Sequence, residues 1–175
     1  MKRFVVALLG VLLFSGVAHA ATAKNIEASF AKGQAAFKEN RLDDAAREFG
    51  AAADGLAGMK QTDKARAVYG NVAIIRMKQE RWQDALDVYA KALALPGKTP
   101  PYTLVKMTRN IVVCAEKPGQ PEVKAGAIAA MLAAKPKLSP EDTVNFLAMQ
   151  GDAYRAAERY ALACQAYEKA LASKN

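Results

Sequence analysis

The segment GDAYRAAERYALACQAYEKALAS, Gly151 to Ser173, decides how the rest of the chain is read. Gly151 is followed by Tyr154, then by Tyr160, Ala163, Tyr167 and Ala170. An alanine, an aromatic four residues later and an alanine three after that fall on one helical face. The same offsets recur earlier. Ala73, Trp82, Ala85, Tyr89 and Ala92 keep them, and so do Gly33, Leu42, Ala45, Phe49 and Ala52. A weaker version, Val113, Ala125, Ala129 and Leu132, fits between. The anchors Ala45, Ala85, Ala125 and Ala163 then lie 40, 40 and 38 residues apart.

Such a pattern is a packing rule. A glycine or alanine lets a neighbouring helix approach, and a ring on the second helix fills the remaining space. One helical hairpin is too small to bury its own apolar face, so hairpins stack. The punctuation predicts helices near 24–39 and 42–57, 62–79 and 82–95, 101–116 and 121–134, 140–157 and 160–173. Pro96-Gly97, Pro100-Pro101, Pro118-Gly119-Gln120-Pro121 and Lys135-Pro136 mark breaks. Ser139-Pro140-Glu141-Asp142 is a helix start, with a capping serine, a proline at the first helical position and acids in the first turn. No useful length alternates with period two, so no sheet is expected.

These residues resemble the tetratricopeptide repeat family. Its first helix carries a small residue and an aromatic; its second carries an alanine, an aromatic four later and an alanine three later. The resemblance covers about 24–173 and implies an all-α fold, a right-handed solenoid of about four helix-turn-helix units (24–57, 60–95, 101–134 and 140–173). Two departures stand out: Arg76 occupies the first-helix aromatic position of the second unit, and the period of 38–40 exceeds the family's 34. A HEAT-type solenoid, with its period of roughly 40–47, is the competing fold, and a compact non-repeating bundle comes third.

The resemblance also implies a function, a protein-interaction module whose first helices line a concave face that binds a peptide or helix. By repeat register that face carries Phe30, Gln34, Phe37, Gly70, Asn71, Ile74, Met77, Asn110, Cys114, Asn145, Asp152 and Arg155. The alternative for Phe30, Phe37, Ile74 and Met77 is core between units. A carboxylate clamp, which the family builds from two lysines, two asparagines and an arginine, maps onto Phe30, Gln34, Asn71, Met107 and Ile111. Only Asn71 matches, so no clamp is expected. A second candidate surface is the end of the array, where Leu162, Ala166 and Leu171 on the last helix are expected to face solvent, a partner or a second copy.

Little points to catalysis. The sole histidine, His19, lies in a segment expected to be removed, and the two cysteines, Cys114 and Cys164, are in no metal-binding spacing. They read as buried free thiols. The acid pairs Asp43-Asp44, Asp84 with Asp87, and Glu141-Asp142 sit where helices begin and complement their dipoles. No nucleotide-binding glycine motif is present. No enzyme, cofactor or metal is expected. An accessory or hydrolytic role on the cell wall is the runner-up, and a purely structural array follows it.

The chain has 175 residues, a formal charge of +8 and an isoelectric point near 9.5. Its lysines and arginines are spread among acids along every unit, which argues against a nucleic-acid partner and for a solvated surface or steering toward acidic partners. Residues 1–20 begin with Lys2-Arg3, continue as an apolar run from Phe4 to Phe14 and end in Ala18-His19-Ala20. This reads as a secretory signal peptide, with cleavage expected after Ala20; the run is too short for a spanning helix. The expected mature chain, 21–175, is a single periplasmic domain, or a secreted one if its source has no outer membrane, and does not stay in the membrane. Its partner is another protein or peptide, and self-association is open.

Overall fold

The computed structural model describes residues 22–134 and 136–173. The expected signal peptide lies outside them. The described residues form helices joined by short turns and contain no strand. They are α1 (22–38), α2 (Leu42–Gly58), α3 (Thr62–Lys78), α4 (Trp82–Leu93), α5 (Pro101–Glu116), α6 (Pro121–Ala133), α7 (Pro140–Ala156) and α8 (Tyr160–Ala172). Every boundary falls within two residues of the sequence expectation. The chain divides into two compact bodies between Val72 and Ala73, inside α3.

The local signals act as the sequence indicated. Prolines occupy the first position of α5, α6 and α7, where a missing N–H costs no intrahelical bond. Ser139 Oγ accepts from the Asp142 N–H at 3.0 Å and caps α7. The other turns reveal a device that composition hid. Asn40, Lys60, Glu80, Gly119 and Glu158 all have positive φ, between 58° and 66°. In each case the next residue's N–H reaches five residues back: Arg41 to Ala36, Gln61 to Leu56, Arg81 to Arg76, Gln120 to Ala115 and Arg159 to Tyr154, at 2.8–2.9 Å. This is the Schellman closure of a helix C-terminus, usually served by glycine, and only Gly119 is one.

In the first body the pair that opens the motif is in place. Phe30 meets Phe49 edge-on, with centroids 5.2 Å apart. A Cβ on Gly33 would come within 2.9–3.1 Å of the Phe49 ring, so glycine is what lets α1 approach α2 there. Ala45, Ala52 and Ala53 are fully buried. Tyr69 on α3 donates its hydroxyl to Asp54 on α2.

In the second body α4 packs on α5, α5 on α6, α6 on α7 and α7 on α8. Gly151 lies under Tyr167, whose ring has three atoms under 3.0 Å from where a Cβ would stand. Leu104, Val112, Ile128, Met131 and Phe146 form its apolar core.

The anchors Ala45, Ala85 and Ala163 are buried at equivalent places, each donating its N–H to the arginine just before its helix, at 2.9–3.0 Å. The third unit needs a correction of one residue. Gly33, Ala73 and Gly151 each stand seven residues before a left-handed turn residue; seven before Gly119 is Val112, which is buried, whereas Val113 is 42% exposed. The residue that matches the alanine anchors is Lys124, not Ala125: its N–H bonds Gln120 O, and its amine swings out to Glu116 at 2.6 Å. The true period, turn to turn, is 40, 39 and 39.

Candidate functional site

The first body carries an open apolar cleft of about 540 Å³. One wall is a stripe of α1: Ala23, Ile26, Glu27, Phe30 and Ala31. Their spacing of three and four places them on one helical face. The other wall is Lys64, Ala67 and Val68 of α3, and the end of α2 closes the floor with Leu56 and Met59, followed by Gln61. Alanines at Ala23, Ala31 and Ala67 keep the mouth wide. Gly55 seats the floor: a Cβ there would stand 2.5 Å from Ile26 Cγ1, so the missing side chain lets Ile26 lie down on α2. Glu27 and Lys64 bring opposite charges to opposite walls.

Of the residues expected to line a binding face, Phe30 lies in this cleft, half-buried. Gln34, Phe37 and Asn71 are exposed on the same body's first helices. Ile26, Leu56, Met59, Val68, Glu27 and Lys64 were not anticipated. The α1 stripe was available as a signal, because positions 23, 26, 27, 30 and 31 keep helical spacing; the contribution from the end of α2 has no local pattern.

In the second body the expected residues split into two groups. Asn110 Nδ2 donates to the Tyr89 hydroxyl at 2.7 Å, and that hydroxyl donates to the Met77 sulfur at 3.8 Å. Tyr89 is buried, and burial pushes its pKa up to about 12 despite the opposing Asn110 bond. Cys114 is also fully buried, and burial raises its thiol to about 11. Met77 and Asn110 are half-buried and tied to Tyr89 by these bonds, while the enclosed Cys114 thiol is held neutral. Ile74 is half-buried, as is Gly70 in the first body. Asp152 accepts from the Tyr167 hydroxyl at 2.8 Å and stands 3.6 Å from Arg155; Asn145 is exposed.

Three expectations are corrected. Met107 and Ile111, carried over as clamp positions, are 3% and 5% exposed, and the one-residue shift of the third unit moves those positions to Lys106 and Asn110. Asn71 and Lys106 then fit the clamp pattern in residue type, while Phe30 and Gln34 do not. Cys164, expected to be buried, is exposed; both thiols are free. Ala166, expected on an open surface, is buried, because α8 turns its alanine face onto the preceding helices. It and the half-buried Leu162 line a recess of about 410 Å³ with Leu132, Leu147 and Tyr154, while Leu171 is 63% exposed.

The acid pairs are occupied by arginines. Asp44 is held between Arg41 at 2.6 Å and Arg47 at 2.7 Å, and those hydrogen bonds keep its carboxyl below the usual range. Asp142 pairs with Arg109 at 2.6 Å. Among the described residues no group of three histidines, cysteines or acids is placed to hold a metal, and no helix is long and apolar enough to cross a membrane.

A family model described as tetratricopeptide repeat matches residues 68–100, the later part of α3 and all of α4. Among solved structures, the chain is similar to BtubC (BKLC) from P. vanneervenii, with a TM-score of 0.57 and 18% identity over 85% of this chain. It spans 63% of that protein, less than two thirds. It is also similar to MamA, with a TM-score of 0.55 and 17% identity, covering 89% of this chain and 81% of that one. No curated protein matches the sequence. The recurring small-to-aromatic packing, the matched repeat and the likeness to these structures give this chain a tetratricopeptide-like helical repeat fold.

Proposed function

We propose that this chain is an exported, non-enzymatic protein-interaction module of the cell envelope, binding a partner's peptide or helix along its first helices. The observation that carries the reading is the cleft around Phe30. It has an apolar floor, small residues at its mouth and polar groups at its edge, the anatomy of a surface that takes apolar side chains and fixes their register. The repeat fold, used typically for protein interaction, supports it. The basic start, apolar run and small residues of 1–20 support export to the periplasm, with a role in envelope assembly or secretion.

The test places a bulky charge at the mouth without touching the core. Ala31 and Ala67 are exposed, and arginine is a good helix former. The protein captures a partner from envelope extract; Ala31→Arg and Ala67→Arg lower recovery about tenfold or more, while Leu171→Arg leaves it unchanged. Undiminished capture by both cleft variants would reject the assignment. Fractionation with mass measurement of the mature N-terminus tests export: a periplasmic chain starting at Ala21 is expected, and a cytoplasmic chain retaining Met1 would overturn that part.

A further inference from the structure

We infer that the occupant of the cleft around Phe30 is an amphipathic helix carrying an acid along one edge and a base along the other, and that Glu27 and Lys64 set the direction in which it lies. This rests on the proposed use of that cleft.

The two walls differ in sign. Glu27 belongs to the α1 wall and Lys64 to the α3 wall, and both line the opening. Asp63, the acid next to Lys64 in sequence, is committed to Arg66 at 2.8 Å. Glu27 and Lys64 take part in no ion pair among the described residues, so each is available at the rim of an otherwise apolar floor. An apolar ligand with no charge would leave both unused. A ligand with like charges on both edges would be attracted by one wall and repelled by the other. A helix presents its apolar stripe to Ile26, Phe30 and Val68 and holds its two edges against the two walls, with residues three and four apart facing the same way.

Because reversing a helix end for end exchanges its left and right edges, the wall charges discriminate direction as well as composition. The base lies along α1 and the acid along α3 in only one of the two directions.

The experiment uses three synthetic peptides with one leucine stripe at helical spacing and different edges: lysine on one and glutamate on the other, glutamate on both, or lysine on both. The mixed peptide is expected to bind about three- to tenfold more tightly than either uniform one, the scale of rim charge pairs. A nitroxide on its N-terminus broadens the methyl signal at one end of the α1 wall, Ala23 or Ala31. In Glu27→Lys/Lys64→Glu the mixed peptide still binds, but the broadening moves to the other end. Three peptides of equal affinity, no binding at all, or a label that does not move in the double variant would each overturn the inference. Partner capture that Ala31→Arg abolishes alongside any of those results leaves the proposed function standing and this inference false; capture insensitive to both Ala31→Arg and Ala67→Arg removes the proposed function itself.

Discussion

Helices α5 and α6 close the same turn as α7 and α8 but fill the space inside it differently. The backbone return is alike: Gln120 N–H to Ala115 O and Arg159 N–H to Tyr154 O, both at 2.8 Å, with φ of 66° at Gly119 and 58° at Glu158. Seven residues before that turn, α7 has Gly151 and α5 has Val112. Nine residues after it, α8 has Tyr167 and α6 has Ile128. The first pairing sets no side chain against a ring, and the second sets two mid-sized aliphatic groups in one core. The turn is the conserved part of the design within this chain, and volume is exchanged across the hairpin at a roughly constant sum. The consequences for solvent differ too. Tyr167 keeps a half-exposed ring with its hydroxyl on Asp152, whereas Ile128 is fully buried beside Met131 and Phe146.

The strongest way to break the aliphatic half is Ile128→Ala. It removes three carbons from a fully buried site and should lower unfolding free energy by about 2–4 kcal/mol, through lost transfer energy and the cavity left behind. The chain has one tryptophan, Trp82, which lies in the second body, so its fluorescence in a urea titration reports on that body. A loss under about 1 kcal/mol would mean that this hairpin is not held by its aliphatic core.

Converting the aromatic half toward the aliphatic one gives a smaller effect with an internal control. Gly151→Val drives a branched side chain into the Tyr167 ring and should cost about 1–3 kcal/mol. Combining it with Tyr167→Leu should restore at least half of that loss, because the two sites share one volume and their changes are not additive. A double variant weaker than the sum of the two single changes would show that the hydroxyl bond to Asp152, and not the fit of the ring, holds the pair.

These two hairpins also show what the amino-acid order could reveal. The ring-on-glycine pattern of α7 and α8 is legible because both partners are extreme in size, and the helix boundaries follow from proline, serine and the acids. The third unit is legible only to within one residue, since valine and isoleucine are common core residues and Ala125, one place late, imitates an anchor. Lys124 takes the true anchor position by turning its amine to Glu116, a solution that no alanine count would suggest. The turns are legible in place, at Asn40-Arg41, Arg81 and Arg159, but their left-handed conformation is not, because four of the five use asparagine, lysine or glutamate in place of glycine. In the candidate site, Phe30 was readable from repeat register. Leu56 and Met59 were not, because they reach the cleft from a helix end whose position depends on the tertiary fold.

The smallest effect isolates the feature that the two hairpins share. A Cβ on Gly119 would meet nothing within 4 Å, so Gly119→Ala introduces no clash and tests backbone conformation alone. At a φ of 66° it should cost about 1 kcal/mol. Glu158 holds a similar φ with a full side chain, and its own side chain makes no bond among the described residues, so Glu158→Gly should stabilise. The gain is smaller, about 0.5 kcal/mol, because the added glycine also frees the unfolded chain. Opposite signs at two positions of equal geometry are what a shared backbone turn demands. Two destabilising results would mean that Glu158 contributes through its side chain and that the hairpins share less than their hydrogen bonds imply.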